Sequence, residues 1–560
     1  MAFVRSLSQT AESLGPERFR EEIIPDLKDL LDDEEEVTLA LADELGKPTL
    51  EDQLGGAAHL PLILPHLEAL AKFEDTSVRD KAVSALTLIA PRLSEEGFEK
   101  NFVELVNRLI DSDWFSPKSS ACGLLSVAYP RASPAWQHKL LVEFKRCCED
   151  QTPMVRRSAA GAIKSLSTLV NKAELPMLIE DFKNLALDDQ DSVRLLAVEN
   201  CVSIASVISE EEKNSVVKPI VISCGKDKSW RVRYMVASTF TKLVDVLGQQ
   251  ITQNDLVSIF VQLLKDNEAE VRGAAASKVS GVCKLVDRET VIKEIIPCIK
   301  SLATDEAAPV RSALASDVMG LAPIFGKEGT NEHLLELFLQ LLKDETPDVR
   351  LNVLGKLDEV TQVLGLEQLS QFLLPSIMEL AEDRQWRIRS ATLDHIPLLA
   401  EQLGVEFFND KLSTICMSWL NDCVYSIREA ATVNFQKLTK AFGAPWAKSH
   451  IIPKILEQMK NRNYLYRIIS LNMITALASE FPPQDVQREL IPLVFTLSAD
   501  PIANIRVQSA KTFGSLIPSL ETPFVQNEII PFLTDKLLVD KDRDVLYFAN
   551  VALQAARKKQ

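Results

Sequence analysis

The chain has 560 residues, of which 46% are hydrophobic, 25% charged and only 6% aromatic, and its formal net charge is −17. So acidic a balance excludes a nucleic-acid backbone as the main ligand, because phosphate binding needs a basic field. Nine cysteines without a C-x-x-C pair exclude a disulfide framework, and no run of 18 apolar residues is present to span a membrane, so a soluble intracellular protein is expected.

Residues 1–14 lack the continuous apolar core of a secretory signal, and one repeat length of about 39 residues back from Val37 puts the preceding frame just before Met1. They are expected to be the second helix of a shortened first repeat. From residue 15 onward one unit recurs. Its signature is D-x-x-x-x-V-R, as in "DDQDSVRLLA", and its aliphatic position falls at Val37, Val78, Val155, Val193, Val232, Val271, Val310, Val349, Ile388, Ile427, Ile505 and Val545. Pro117 and Tyr466 fill the two vacant slots, so fourteen units follow one another at spacings of 38 to 41 residues, mostly 39. Fixed self-similarity at this period marks a repeat array, which grows by stacking.

After the aliphatic position the pattern is helical. Val232, Met235, Val236, Phe240, Leu243, Val244 and Leu247 share one face, and Ile388, Ala391, Ile396, Leu399, Ala400 and Leu403 repeat it. Before the frame lies another apolar segment with a proline thirteen residues ahead of the aliphatic position at Pro65, Pro219, Pro297, Pro375, Pro453 and Pro492. A proline removes a backbone donor and bends a helix. Each unit therefore reads as a kinked first helix, a turn and a straighter second helix of about four turns. The fold class is all-α, an α-solenoid of helix pairs. The frame Asp, present in eleven units, is placed to cap the second helix or reach a neighbouring repeat, and the frame Arg, also in eleven, to pair with it in a ladder.

No catalytic constellation is present: H-E-x-x-H, G-x-S-x-G and G-x-G-x-x-G are all missing. The nearest miss, "GLAPIFGKEG" at 320–329, reads as a helix stop at Gly326. The six histidines are scattered without ligand spacing, so no metal and no cofactor is expected. What remains is surface. The turn between paired helices is not committed to stacking, and the same tryptophan occupies it twice, in "DKSWRVRYMV" at 227–236 and "DRQWRIRSAT" at 383–392. Trp230 and Trp386 could tuck against their own repeats or stand exposed beside Arg231 and Arg387, in the Trp and Arg composition of interface hot spots. "TPMVRRSAA", "VYSIREAA" and the acidic run "DDEEEV" decorate the same turns.

Together, "VRDKAV", "DWF" with "SACGL", "TPMVRR", "DQDSVRLLAVE", "DKSWRVRYMVA", "SALAS" with "MGLAPI", "LGVEFF" and "IREAAT" resemble the scaffold, or A-type, subunits of protein phosphatase type 2A, collinearly from about residue 15 to the end. The resemblance implies a horseshoe of HEAT repeats without activity of its own. Its intra-repeat turns would hold a catalytic subunit and interchangeable regulatory B-type subunits. By motif, it implies a regulatory side with Glu34, Glu36, Pro153, Arg156, Arg157, Trp230 and Arg231, within about residues 15–365. It implies a catalytic-subunit side with Trp386, Arg387, Tyr425 and Asn504, within about 366–560. Gln151 stands where the family usually has an acid. A cytoplasmic location, extending to the nucleus, would follow. The alternatives are a HEAT-repeat nuclear transport receptor and, less in keeping with the residues, an enzyme built on HEAT repeats such as a bilin lyase.

Overall fold

The structure is a computed structural model that describes residues 2–365 and 368–559. Among these residues every regular element is helical. The chain forms two compact units, Met1–Val310 and Arg311–Gln560. This division falls ahead of the expected boundary between binding halves near 365, which concerns partners and not compactness; residues 366 and 367 lie outside the described set.

In both units the frame sets where each second helix begins. The residue three before the aliphatic position is the N-cap: Asp75, Thr152, Gln190, Ser229, Gln385, Val424, Asn463 and Ile502 all occupy it in extended conformation. The residue that follows opens the helix, as in Trp386–Leu403 and Tyr425–Phe442. Several second helices stop sixteen residues past the aliphatic position at a glycine. Gly248, Gly326, Gly365, Gly404 and Gly443 all have φ between +65° and +88°, where a Cβ is penalised. Gly326 is thus the helix stop expected at 320–329.

The first helices bend as expected, but not for the expected reason alone. Many of them widen for about five residues into i→i−5 hydrogen bonding and then resume, so that Lys213–Val217 precedes Lys218–Gly225 with Pro219 in its first turn. The same widening occurs at Thr252–Leu256, Thr330–Leu334 and Phe408–Leu412, where Ser258, Glu336 and Thr414 stand in the proline's place. The bend belongs to the repeat; proline occupies a site whose donor the wide turn has already released.

The second helices depart from expectation in three successive repeats. Instead of one straight rod, the helix breaks after Ala269–Ala276, after Ala308–Ala315 and after Pro347–Leu354. A small residue begins each break, namely Ser277, Ser316 or Gly355. The two serine hydroxyls donate back to Ala274 O at 2.8 Å and Ala313 O at 2.7 Å, competing with the helix ladder. Ser238 occupies the same repeat position and its helix, Trp230–Ile251, runs on to Gly248, so the serine alone does not decide the break.

The core is the layer between paired helices. Phe182 and Phe240 are fully buried in the first unit, as are Phe338, Phe435 and Phe513 in the second. The expected face of Val232, Val236, Phe240, Leu243, Val244 and Leu247 is buried, with Met235 at its margin. Residues 2–14 form two short helical pieces, Ala2–Arg5 and Leu7–Leu14. The first packs on Glu35–Leu45, and Val4, Leu7 and Ala11 are buried.

Candidate docking edge

The turns are built on a repeated clamp. Arg194 shows the pattern: its Nη1 donates to the carbonyls of Asp188 and Asp189 in its own turn at 2.8 and 3.0 Å. Its Nε and Nη2 grip the Asp227 carboxylate of the next turn at 2.6 and 2.8 Å. Asp227 Oδ1 also accepts from the Ser229 amide at 2.8 Å, which turns the chain into the helix. The frame aspartate therefore braces the residue that caps the second helix and binds the preceding repeat at once. A bidentate guanidinium–carboxylate pair fixes geometry as well as distance, so one clamp sets both spacing and tilt between turns.

Burial by itself raises the Asp227 carboxyl, but the hydrogen bonds from Arg194 and the Ser229 amide, with the guanidinium charge, outweigh it and hold it below the usual carboxylate value. The same balance lowers Asp266, Asp344 and Asp422.

In the first unit four bidentate clamps follow in succession, from Arg156 to Asp188, Arg194 to Asp227, Arg233 to Asp266 and Arg272 to Asp305. In the second, Arg311, Arg389, Arg467 and Arg506 hold Asp344, Asp422, Asp500 and Asp540 in the same way. Arg350 reaches Asp383 through Nη2 alone, at 3.0 Å, and its Nε has no partner. Arg428 has no carboxylate within ion-pairing distance among the described residues.

Outside this ladder lie most of the side chains singled out from the sequence. Trp230 and Trp386 each open a second helix and are 38% and 36% exposed. The guanidinium of Arg231 lies 5.4 Å from the Trp230 ring centre and that of Arg387 lies 5.0 Å from Trp386, both cation–π distances. Each pair is neither tucked away nor free-standing: the ring lies beside its own arginine and keeps somewhat over a third of its surface exposed. Arg231 also comes within 3.7 Å of Asp191, and Tyr234 meets Trp230 edge-on at 6.4 Å. Tyr425 opens Tyr425–Phe442 in the same position and is 51% exposed.

Pro153, Arg157 and Asn504 stand at the surface in the first turns of their helices, and Glu34 and Glu36 at the start of Glu35–Leu45. Glu36 lines a hollow of about 770 Å³ with Arg5, Leu39, Asp43, Glu44 and Lys81. Arg156 is different, because its guanidinium is taken up by Asp188, Asp189 and the carbonyls of its own turn. It shapes the turn that presents Pro153 and Arg157.

Two further aromatics stand at the turns. Trp114, in the "DWF" stretch, caps Phe115–Ala128 and is 54% exposed against Phe115. Tyr464, half-buried, opens Tyr464–Ala478 at the position of Trp230, a residue the sequence reading did not single out. Exposed Leu465 and Ile502 extend that apolar strip.

Among the described residues no group of three or more His, Cys, Asp or Glu side chains could hold a metal ion, and no helix is long and apolar enough to cross a membrane. His138 contacts Glu174, and His395 contacts Asp358, on helix surfaces.

Comparison with known proteins agrees with this architecture. Residues 217–247 match the HEAT repeat, 249–326 the PPP2R1A-like HEAT repeat, and 334–510 the PIK3R4-like middle domain. The chain is 46% identical over 241 residues to the A-type regulatory subunit of protein phosphatase PP2A from Schizosaccharomyces pombe, covering 42% of this chain and 40% of that one. It is 43% identical over 218 residues to a probable PP2A regulatory subunit of Caenorhabditis elegans, covering 39% and 37%. Over 160 residues it is 48% identical to the beta isoform of the human PP2A 65 kDa A-type regulatory subunit, covering 29% and 26%. The matched stretch thus spans about two fifths or less of these relatives. Among solved structures, Kap95p with RanGDP superposes at TM-score 0.60 with 13% identity, over 97% of this chain and 77% of that one. Kap121p bound to Pho4p gives 0.59 with 16% identity, over 96% and 59%. At such identities these two show the solenoid fold alone.

Proposed function

We propose that this HEAT-repeat chain, homologous to the A-type regulatory subunits of protein phosphatase 2A, is a non-catalytic scaffold. It holds the catalytic subunit together with a variable B-type regulatory subunit of a type 2A serine/threonine phosphatase. The observation that carries the reading is the 46% identity to a PP2A regulatory subunit of the A type across 241 residues. The exposed Trp–Arg pairs support it, since truncating such aromatic anchors typically costs about 2 kcal/mol or more of binding.

The residues suggest a division of labour. Trp230, Arg231, Pro153, Arg157, Glu34 and Glu36 would face the regulatory subunit, with Arg156 bracing the turn. Trp386, Arg387, Tyr425 and Asn504 would face the catalytic subunit. Holding two proteins on one chain raises the effective concentration of each for the other, with no chemistry required of the scaffold. Cytoplasm, with access to the nucleus, is the compartment this role implies. The likeness to Kap95p and Kap121p does not favour a transport receptor, because it rests on the fold.

Retention of purified catalytic subunit tests the reading. Trp386→Ala with Arg387→Ala should weaken it at least about tenfold, and Trp230→Ala with Arg231→Ala should weaken regulatory-subunit binding without touching the catalytic subunit. Failure of the unaltered chain to retain either subunit, or capture of a GTP-loaded small GTPase instead, would refute it.

A further inference from the structure

From Arg156 onward the ladder has one vacancy, at Arg428. This arginine is 6% exposed, and its Nη1 is anchored as that of Arg194 is, donating to Asp422 O at 2.7 Å and Cys423 O at 3.2 Å. In eight other turns the remaining edge, Nε with Nη2, grips a carboxylate of the following turn at 2.6 to 3.1 Å. The residue in that place after Arg428 is Asn461. Its Oδ1 is taken by the Asn463 amide at 2.9 Å, so in this register its NH2 group stands where the second carboxylate oxygen would be. Arg428 Nε is left buried without any partner, and what compensates the guanidinium from the side is the Tyr425 ring, 5.6 Å from its carbon.

A buried guanidinium edge without its acceptor is costly, and a carboxylate is the group whose shape it fits. The surroundings point the same way. The turn from 459 to 467 carries Lys460, Arg462 and Arg467 and no acid, in a chain whose net charge is −17. Around it Tyr425, Leu465 and Ile502 are exposed and Tyr464 half-exposed.

We propose that the turns at Arg428 and Asn461 part to admit an Asp or Glu side chain of the catalytic subunit, which completes the ladder from outside. The carboxylate accepts from Arg428 Nε and Nη2 and from the Asn461 amide, and apolar groups beside it cover Tyr425, Tyr464 and Leu465. This rests on the scaffold reading above and adds to it a specific contact with a stated charge.

Asn461→Asp supplies the missing carboxylate from within and closes the site. In the full chain it should raise the thermal midpoint of unfolding, which rules out misfolding as a cause of any lost binding. It should also weaken catalytic-subunit binding at least about tenfold. Arg428→Gln should weaken binding to a similar degree, and the double variant should be no worse than either single one, because both remove the same contact. Unchanged or tighter binding by Asn461→Asp, with the unaltered chain binding normally, overturns the carboxylate contact and leaves the scaffold reading standing. Additive losses in the double variant also overturn it. If the unaltered chain binds no catalytic subunit at all, the scaffold reading falls and takes this contact with it.

Discussion

The two units are made of the same repeat and differ in how their turns are tied. In Met1–Val310 the clamp runs without interruption from Arg156 to Asp305. In Arg311–Gln560 it is bidentate at Arg311, single at Arg350, bidentate at Arg389, vacant at Arg428 and bidentate again at Arg467 and Arg506. A repeat array is stabilised by nearest-neighbour interfaces, so each clamp acts locally. From Arg156 on, the first unit spends its frame arginines on tying successive turns, whereas Arg79 ahead of that run bonds only its own turn, through Phe73 O, Glu74 O and the Thr76 hydroxyl; the second unit leaves the Arg350 and Arg428 Nε edges without a partner.

That contrast can be broken most severely at Arg194. Arg194→Ala leaves Asp227 buried without its counter-charge and should cost about 3 to 5 kcal/mol locally, read as faster amide exchange at residues 188–204 and 224–233. The loss should shrink in acid. The folded-state value of Asp227 lies below its unfolded one, so its stabilisation is full above the unfolded value near pH 4 and disappears as pH falls through the folded value.

Next in size is an opposite pH response within the same unit. Asp181 is buried in Leu175–Ala186, its Oδ1 has no partner, and burial pushes it up to about 7, with Glu149 and Glu180 adding to the rise and Lys145 opposing it. Its folded-state value is raised, so the unfolded chain loses the proton first, and stability should fall as pH climbs from about 4 to about 7. Asp181→Asn should remove this slope and gain about 3 kcal/mol at pH 8 with little change at pH 4, measured by thermal unfolding at the two pH values.

The comparison sharpens at Arg428. Arg428→Gln removes bonds to two carbonyls but strands no carboxylate, so it should cost about 1 kcal/mol of stability, well below Arg194→Gln, when both are followed by denaturant unfolding. Smallest of all, Trp230→Ala and Trp386→Ala should each change stability by about 0.5 to 1 kcal/mol while weakening subunit capture, since both rings lie outside the packed layer. Equal costs at Arg194 and Arg428 would erase the distinction between the units.

Much of this was written in the chain itself. The 39-residue period, the helix start three residues after each frame aspartate, the glycine stops and the Asp–Arg ladder all follow from local chemistry, because turn, cap and clamp partners sit at fixed separations in every repeat. The partner side of the edge rested on motif resemblance, and Tyr464 was not singled out although its frame, with Tyr466 in the aliphatic slot, was found.

Other features came only from packing. The helices break at Ser277 and Ser316 and not at Ser238, although all three share one repeat position, so the residue at that position does not by itself set the outcome. The bend of the first helices persists without proline, as the stacked layers require it. Trp230 and Trp386 could have been buried or bare, and the position of one arginine beside each ring made them half of each. The vacancy at Arg428 was likewise invisible as an Asn for Asp exchange at Asn461, until the fold set that amide where the other turns hold a carboxylate.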